Sequence, residues 1–288
     1  MISIFFGFSS SGREMTIRNT PFVILASTLS SEAANGRRIV RENLPKPRSL
    51  RCQRAPSGTS GTLRSPESVR TLSLSRIAHA SLNSMKTVVI AAQKGGAGKT
   101  TLARNLAVAA SQDGRDVLCL DLDPQGSLRA WWEGRDADGP SMLDRDPAPD
   151  VLRATLNAAQ TQFDLCIIDT PPAAPEWLAE ALGAADLVLI PVRPSPDDLR
   201  AVGATIAAVN AARVPFAFAL SQTPRAKITD EAARVLAQHG RVAPVNIAQR
   251  VSYAETGATG QGVTETTDDK AGAEIAAVWA YVKGILDG

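Results

Sequence analysis

The chain has few of the residues from which metal, disulfide and membrane proteins are built. Its 288 residues include only three cysteines and two histidines. Cys52, Cys119 and Cys166 show no CxxC spacing, so no paired-cysteine site is expected. Cys119 and Cys166 fall inside apolar, strand-like runs, which suits reduced, buried thiols in a cytosolic protein. His239 reads as a cation at a helix end, and with His79 as its only companion there is no histidine metal site to expect. No apolar run reaches the roughly 20 residues that a membrane-spanning helix needs. What remains is ample for a packed core, since 44% of the residues are hydrophobic.

Charge is unevenly spread. Residues 1–84 carry 12 Lys and Arg against 4 Asp and Glu, a net of +8, leaving 19 against 25, a net of −6, for the rest. The near-neutral total therefore joins two chemically different pieces. The first contains 16 serines with scattered Pro and Gly and no sustained helix or strand period, so it is expected to be a low-order extension. Its two apolar patches, Ile2–Phe8 and Phe22–Leu29, are too short to span a bilayer, and the first lacks the basic start of a secretory signal.

The informative stretch is KTVVIAAQKGGAGKTT, from Lys86 to Thr101. Val88–Ala92 is an apolar run of the kind that forms a buried parallel strand, and Gly95, Gly96 and Gly98 follow it at once. From Thr100 to Gln112, Leu102, Leu106 and Ala110 recur every four residues, as on one face of a helix. A strand, a glycine loop and a helix in that order cradle anions: the glycines let successive N–H groups turn inward, and the helix start adds partial positive charge. The ordinary G-x-x-x-x-G-K-[ST] pattern is not fully met, because Gln93 holds the place of its first glycine, and a second lysine, Lys94, opens the loop.

With KGGAGKTT the sequence resembles the deviant-Walker ATPases, which include ParA partition proteins, MinD and the nitrogenase iron protein. The resemblance runs from about Met85 to Leu286 and is strongest to small ParA proteins. It implies a doubly wound α/β fold with a mainly parallel sheet, of the P-loop NTPase kind, over 85–288. It also implies ATP and Mg²⁺ as cofactors, with Gly95, Gly96, Ala97, Gly98, Lys99, Thr100 and Thr101 around the phosphates. Lys99 would reach the β- and γ-phosphates, and Thr100 would ligate the metal. Lys94 matches the family's signature lysine, which implies a reach across a nucleotide-sandwich homodimer to the partner's phosphates.

Further motifs follow in family order. The strand Asp116–Leu122 ends in DLDPQGS; by resemblance Asp123 positions the attacking water, with Pro124 and Gln125 in a nucleotide-sensing switch, while Asp121 reads as structural. From the residues alone, Asp123 could instead cap the helix bearing Leu128, Trp131 and Trp132. Gly134–Pro149 reads as a surface loop, and Asp150 as the N-cap of the next helix. Leu165–Ile168 and Asp169 resemble a Walker B segment, implying that Asp169 holds Mg²⁺ through water, with Thr170, Pro171 and Pro172 as a second switch.

Ser195-Pro196-Asp197-Asp198 is a well-formed helix start. In the loop Ser221–Lys227, Thr223, Pro224 and Arg225 are placed near the adenine by resemblance, with an ordinary turn as the alternative. Val242–Ile247 reads as a last strand. The following segment resembles the part of small ParA proteins that binds DNA without sequence preference, which makes Arg250 the first DNA-contact candidate and Arg241 the second, against ordinary solvated arginines.

For residues 1–84 two readings compete: an organellar transit peptide, or a stretch that is not normally translated, Met85 being the real start. The second is preferred because chains of this family commonly begin just before the first strand. A basic DNA-binding arm is a third option with no motif behind it.

The function implied is a weak, partner-stimulated ATPase that dimerises with ATP and binds DNA non-specifically. It would position a cargo (plasmid, chromosome region or protein cluster) in the cytoplasm on the nucleoid, and a ParB-like or cargo-bound protein would stimulate it. The alternative is a MinD-like ATPase acting at a membrane surface. The final stripe Ile275, Val278, Trp279, Val282, Ile285 and Leu286 reads instead as core packing, so no membrane partner is expected. Iron–sulfur carriers of this group need cysteines near the interface. A related tyrosine kinase would want a tyrosine-rich tail, and only Tyr253 and Tyr281 exist.

Overall fold

The apolar runs between residues 86 and 220 enter one sheet in which every pairing is parallel. The computed structural model describes residues 39–40, 84–172 and 175–288, without the side chains of 39–40 and 175–177. Of the chain's two units, Met1–Gly36 lies wholly outside the described residues, and Arg37–Gly288 holds all of them. The expected extension 1–84, with both apolar patches, falls outside them apart from Ile39–Val40 and Ser84.

In chain order the described elements are β1 (Ile39–Val40), β2 (Lys86–Ile90), α1 (Lys99–Gln112), β3 (Val117–Asp121), α2 (Ser127–Glu133), β4 (Ser141–Leu143), α3 (Leu152–Ala159), β5 (Leu165–Asp169) and α4 (Pro175–Ala184), then β6 (Leu187–Val192), α5 (Pro196–Ala212), β7 (Phe216–Leu220), α6 (Lys227–Ala237), β8 (Arg241–Val242), α7 (Val251–Thr259) and α8 (Asp269–Leu286). The strands lie in the order β1-β4-β3-β5-β2-β6-β7-β8. The chain leaves β2 for β3, comes back to insert β5 between them, and then crosses to β6 on the other side. Direction thus reverses around β2, and a parallel sheet opens its ligand crevice at the C-terminal ends of the strands at such a reversal.

Period-two alternation divides the core into two layers. From β2, Val88 and Ile90 join Leu102 and Leu106 of α1, Trp131 of α2 and Trp279 of α8. Val89 and Ala91 point the other way, toward Leu156, Leu182, Val209 and Leu236 of α3 to α6. Cys119 and Cys166 lie in opposite layers, both free and buried, as expected of reduced thiols. Ser195 caps α5 as its sequence predicts, its hydroxyl accepting from the Asp198 N–H.

Three expectations need correction. Gly134–Pro149 is not all surface loop, because it contains β4, whose Met142 is fully buried beside β3. Asp150 lies in a short 3-10 turn, and α3 begins after Val151 without a side-chain cap. The strand expected at Val242–Ile247 is only Arg241–Val242, since Pro244 has no N–H to give the ladder.

The C-terminal segment is fastened beneath the sheet by an ion pair. Arg135, just after α2, donates to both oxygens of Glu265 at 2.6 and 2.8 Å and to the Gly260 carbonyl at 2.8 Å, and its guanidinium lies 5.5 Å from the centre of the Trp131 ring. Burial raises the Glu265 carboxyl, but the Arg135 guanidinium and the Gly262 N–H outweigh it and hold the carboxyl below its ordinary value. Such a group stabilises the fold fully above its unfolded pKa, and the contribution disappears as pH falls through the lower folded value.

Glu265→Gln should therefore lower unfolding free energy by about 3 kcal/mol at neutral pH. The gap from the wild type should narrow below about pH 4. Denaturant unfolding at both pH values checks this, and equal stabilities at neutral pH would dismiss the brace.

Candidate functional site

The glycine loop leaves β2 at the middle of the sheet and enters α1 at Lys99, one residue earlier than the sequence pattern suggests. Gly96 and Gly98 take φ of 75° and 93°, a region that L side chains rarely adopt, which is why glycine stands there. Two side chains from the end of β7 fix the loop. Ser221 Oγ donates to the Ala97 carbonyl at 2.7 Å, and Gln222 Nε2 to the Gly96 carbonyl at 2.8 Å. In trans peptides, engaging those carbonyls turns the N–H groups of Ala97 and Gly98 the opposite way. These donors and the first turn of α1 form a cradle for an anion.

Asp169 closes the site. It ends β5 and stands in register with Ile90 of β2 and Asp121 of β3, so three strand ends meet at one level. It is fully buried. Thr100 Oγ1 donates to its Oδ2 at 2.5 Å, while Oδ1 has no hydrogen-bond partner among the described residues. Burial raises the carboxyl to about 7, against the opposing Thr100 hydrogen bond and the nearby Lys99 charge. The Lys99 ammonium, itself buried, is lowered mainly by desolvation and supported by Asp169 and Asp123. A buried carboxylate oxygen without a partner, next to a hydroxyl, is a hard-oxygen donor set that fits Mg²⁺. Thr100 and Asp169 are the residues that would hold the ion, and it would supply charge to neutralise phosphoryl oxygens.

The two aspartates after β3 separate cleanly. Asp121 Oδ2 accepts from Leu128 and Arg129 N–H at 2.8 and 3.0 Å, so Asp121 holds the start of α2. Asp123 does not cap that helix. Its Oδ1 accepts from Gln125 N–H at 3.0 Å, and the side chain stays half-buried near Lys99.

Other candidate residues are less alike in their surroundings. Lys94 is half-buried at the front of the loop and makes no hydrogen bond or ion pair with the described residues. Thr101 is half-buried in the first turn of α1, its carbonyl accepting from Asn105 Nδ2 at 2.7 Å. Thr223 is buried and its hydroxyl donates to the Ile247 carbonyl at 3.2 Å. The Pro224 carbonyl accepts from Thr229 Oγ1 at 2.9 Å, and Arg225 is exposed. In that loop it is thus Ser221 and Gln222 that touch the glycine loop, and sequence reasoning missed both. Their only signal was their place at a strand's C-terminal end.

Arg250 is held by Glu274, with Nη2 to Oε1 at 2.5 Å and Nε to Oε2 at 3.3 Å, so its charge is already answered. Arg241 is exposed on β8.

Comparison with known proteins agrees with this geometry. The profile described as the CobQ/CobB/MinD/ParA nucleotide binding domain matches residues 88–263. Maintenance of carboxysome distribution protein A from Halothiobacillus neapolitanus is 35% identical over 156 residues, covering 51% of this chain and 71% of that protein. The chromosome-partitioning ATPase Soj from Thermus thermophilus is 30% identical over 157 residues, covering 45% of this chain and 63% of that protein. Among solved structures, a McdA–ATP complex from Cyanothece superposes with a TM-score of 0.61 at 22% identity, over 71% of this chain and 97% of that one. At that identity the likeness speaks for the fold.

Asp169→Asn should remove the Mg²⁺-dependent part of nucleotide binding, a loss of about 100-fold. A fluorescent ATP analogue titrated with Mg²⁺ or with EDTA measures it. Unchanged Mg²⁺ dependence in the variant would exclude Asp169 from the metal site.

Proposed function

The chain belongs to the CobQ/CobB/MinD/ParA nucleotide-binding family, and from that premise we propose that it is a ParA-type ATPase that positions a cargo on DNA. The observation that carries the proposal is one loop presenting two lysines, Lys99 buried beside Asp169 and Lys94 at the rim without a described partner. Lys99, with the loop N–H groups, binds the triphosphate of its own subunit, and Thr100 and Asp169 hold Mg²⁺. Lys94 reaches the nucleotide of a second copy, so ATP joins two chains. Asp123 orients the attacking water. Hydrolysis stays slow until a cargo-bound, ParB-like partner completes the site, after which the dimer parts. The working ATPase is residues 85–288.

The names of the relatives favour cargo positioning: one maintains carboxysome distribution and another partitions chromosomes. On this reading the ATP dimer sits on the nucleoid and the released subunits return to the cytoplasm. DNA would be held through phosphates alone. With Arg250 tied to Glu274, the contacts are better sought at Arg241 and at other exposed cations such as Arg225, Lys227 and Arg234. No helix among the described residues is long and apolar enough to cross a membrane. The apolar side of α8, with Ile275, Val278, Trp279 and Val282, is buried in the core and is not free for a lipid surface.

Retention on arbitrary duplex DNA should require ATP and Mg²⁺ and should weaken with salt, with a log–log slope of about −2 to −4 for a few phosphate contacts. Arg241→Glu should weaken it several-fold. Absence of retention in a protein that binds ATP would remove DNA from the proposal and leave the ATPase.

A further inference from the structure

One cation beside the loop takes no part in the two-lysine scheme. Arg193 follows β6, the strand next to β2, and so emerges at the same end of the sheet as the glycine loop. Its Nε donates to Asp198 Oδ1 at 3.0 Å. Asp198 is itself fixed: it is 4% exposed in the first turn of α5, and the Ser195 hydroxyl donates to its Oδ2 at 2.5 Å. One edge of the guanidinium is therefore locked by a buried carboxylate whose oxygens are both engaged.

The other edge points at the loop. Nη1 lies 3.8 Å from where a Cβ on Gly96 would stand, and neither Nη1 nor Nη2 bonds to any described residue. The side chain is 31% exposed, so these nitrogens are reachable from outside. Together the two nitrogens carry four N–H donors in a plane, an arrangement that matches the oxygens of a phosphoryl group. Lys94 lines a narrow crevice with Ala97, Val192 and Asp198, the carboxylate that holds Arg193. Two cations thus rim the loop, and of the described carboxylates only Asp198 meets either of them directly. Asp198 already serves the edge facing away from the opening.

We propose that Arg193 is a phosphate-binding residue of the nucleotide site, oriented by Asp198 to take a phosphoryl oxygen of the triphosphate bound at the loop of its own chain or of a second copy. The inference rests on the nucleotide reading of the loop. The experiment compares wild type, Arg193→Gln and Arg193→Lys. ATP and AMP affinities are measured calorimetrically at a dilution where the protein is monomeric, and self-association with a non-hydrolysable ATP analogue is measured by sedimentation.

The Gln variant should lose about tenfold or more in one ATP-dependent measurement, as expected for a charge-assisted contact. AMP affinity and thermal stability should stay as in the wild type, and the Lys variant should fall between. A loss in dilute ATP affinity assigns the contact to the chain's own nucleotide. A loss confined to self-association assigns it to the second copy. Wild-type-like ATP binding and self-association in the Gln variant would overturn the proposal, as would equal losses for ATP and AMP, which mark a merely structural role. Failure of the wild type itself to bind ATP would instead remove the nucleotide reading.

Discussion

A carboxylate buried at the centre of the sheet governs how this site is built. Asp169 accepts with one oxygen from Thr100, and the other has no partner among the described residues. A lone charge buried in a protein interior is expensive, and here burial pushes the carboxyl up to about 7. Lys99 and the Thr100 hydroxyl offset part of that cost, but both must stand within reach. The strand order makes this possible. With β5 inserted between β2 and β3, the ends carrying Asp169 and Asp121 flank the start of the glycine loop, and the helix after it carries Lys99 and Thr100 over them. A divalent cation with its phosphate ligand would supply charge and coordination to the second Asp169 oxygen.

The helix bearing these groups is held along its length. Asn105 Oδ1 accepts from Val263 N–H at 2.8 Å, Arg104 donates to the Tyr253 carbonyl, and Asp113 at the end of α1 accepts from Lys283 Nζ at 2.7 Å and Trp279 Nε1 at 3.1 Å. Gly257 leaves room for the Arg104 guanidinium, where a Cβ would overlap it. Ser221 and Gln222 hold the loop from the opposite side. The cradle is thus set before any ligand arrives, which reduces the ordering cost of binding. Lys94 and the free edge of Arg193 stand at its rim.

Local chemistry made much of this legible in the sequence. The apolar run before KGGAGKTT, the four-residue spacing of α1 and the Ser195 cap each depend on neighbours within a few residues, and all appear in the fold. The misses involve partners far along the chain. Arg250 reads as a free cation until Glu274, 24 residues on, is folded against it. Ser221 and Gln222 lie more than 120 residues from the carbonyls they bind. In the stretch containing β4, Gly, Asp and Pro mark its bends and conceal three buried residues, two of them paired to β3. Asp121 reads as structural from the sequence and is so, but that it, and not Asp123, holds the start of α2 shows only in the Leu128 and Arg129 N–H groups that converge on it.

On the function proposed, the nucleotide both completes the charge of one chain and joins it to a second through Lys94. Sedimentation of the wild type and Lys94→Ala with a non-hydrolysable ATP analogue and Mg²⁺ addresses that claim most directly. Wild type should sediment as a dimer with the analogue and as a monomer with ADP, and the variant should bind nucleotide yet remain monomeric. A wild type that binds the analogue and stays monomeric, or a variant that dimerises as readily, would contradict it.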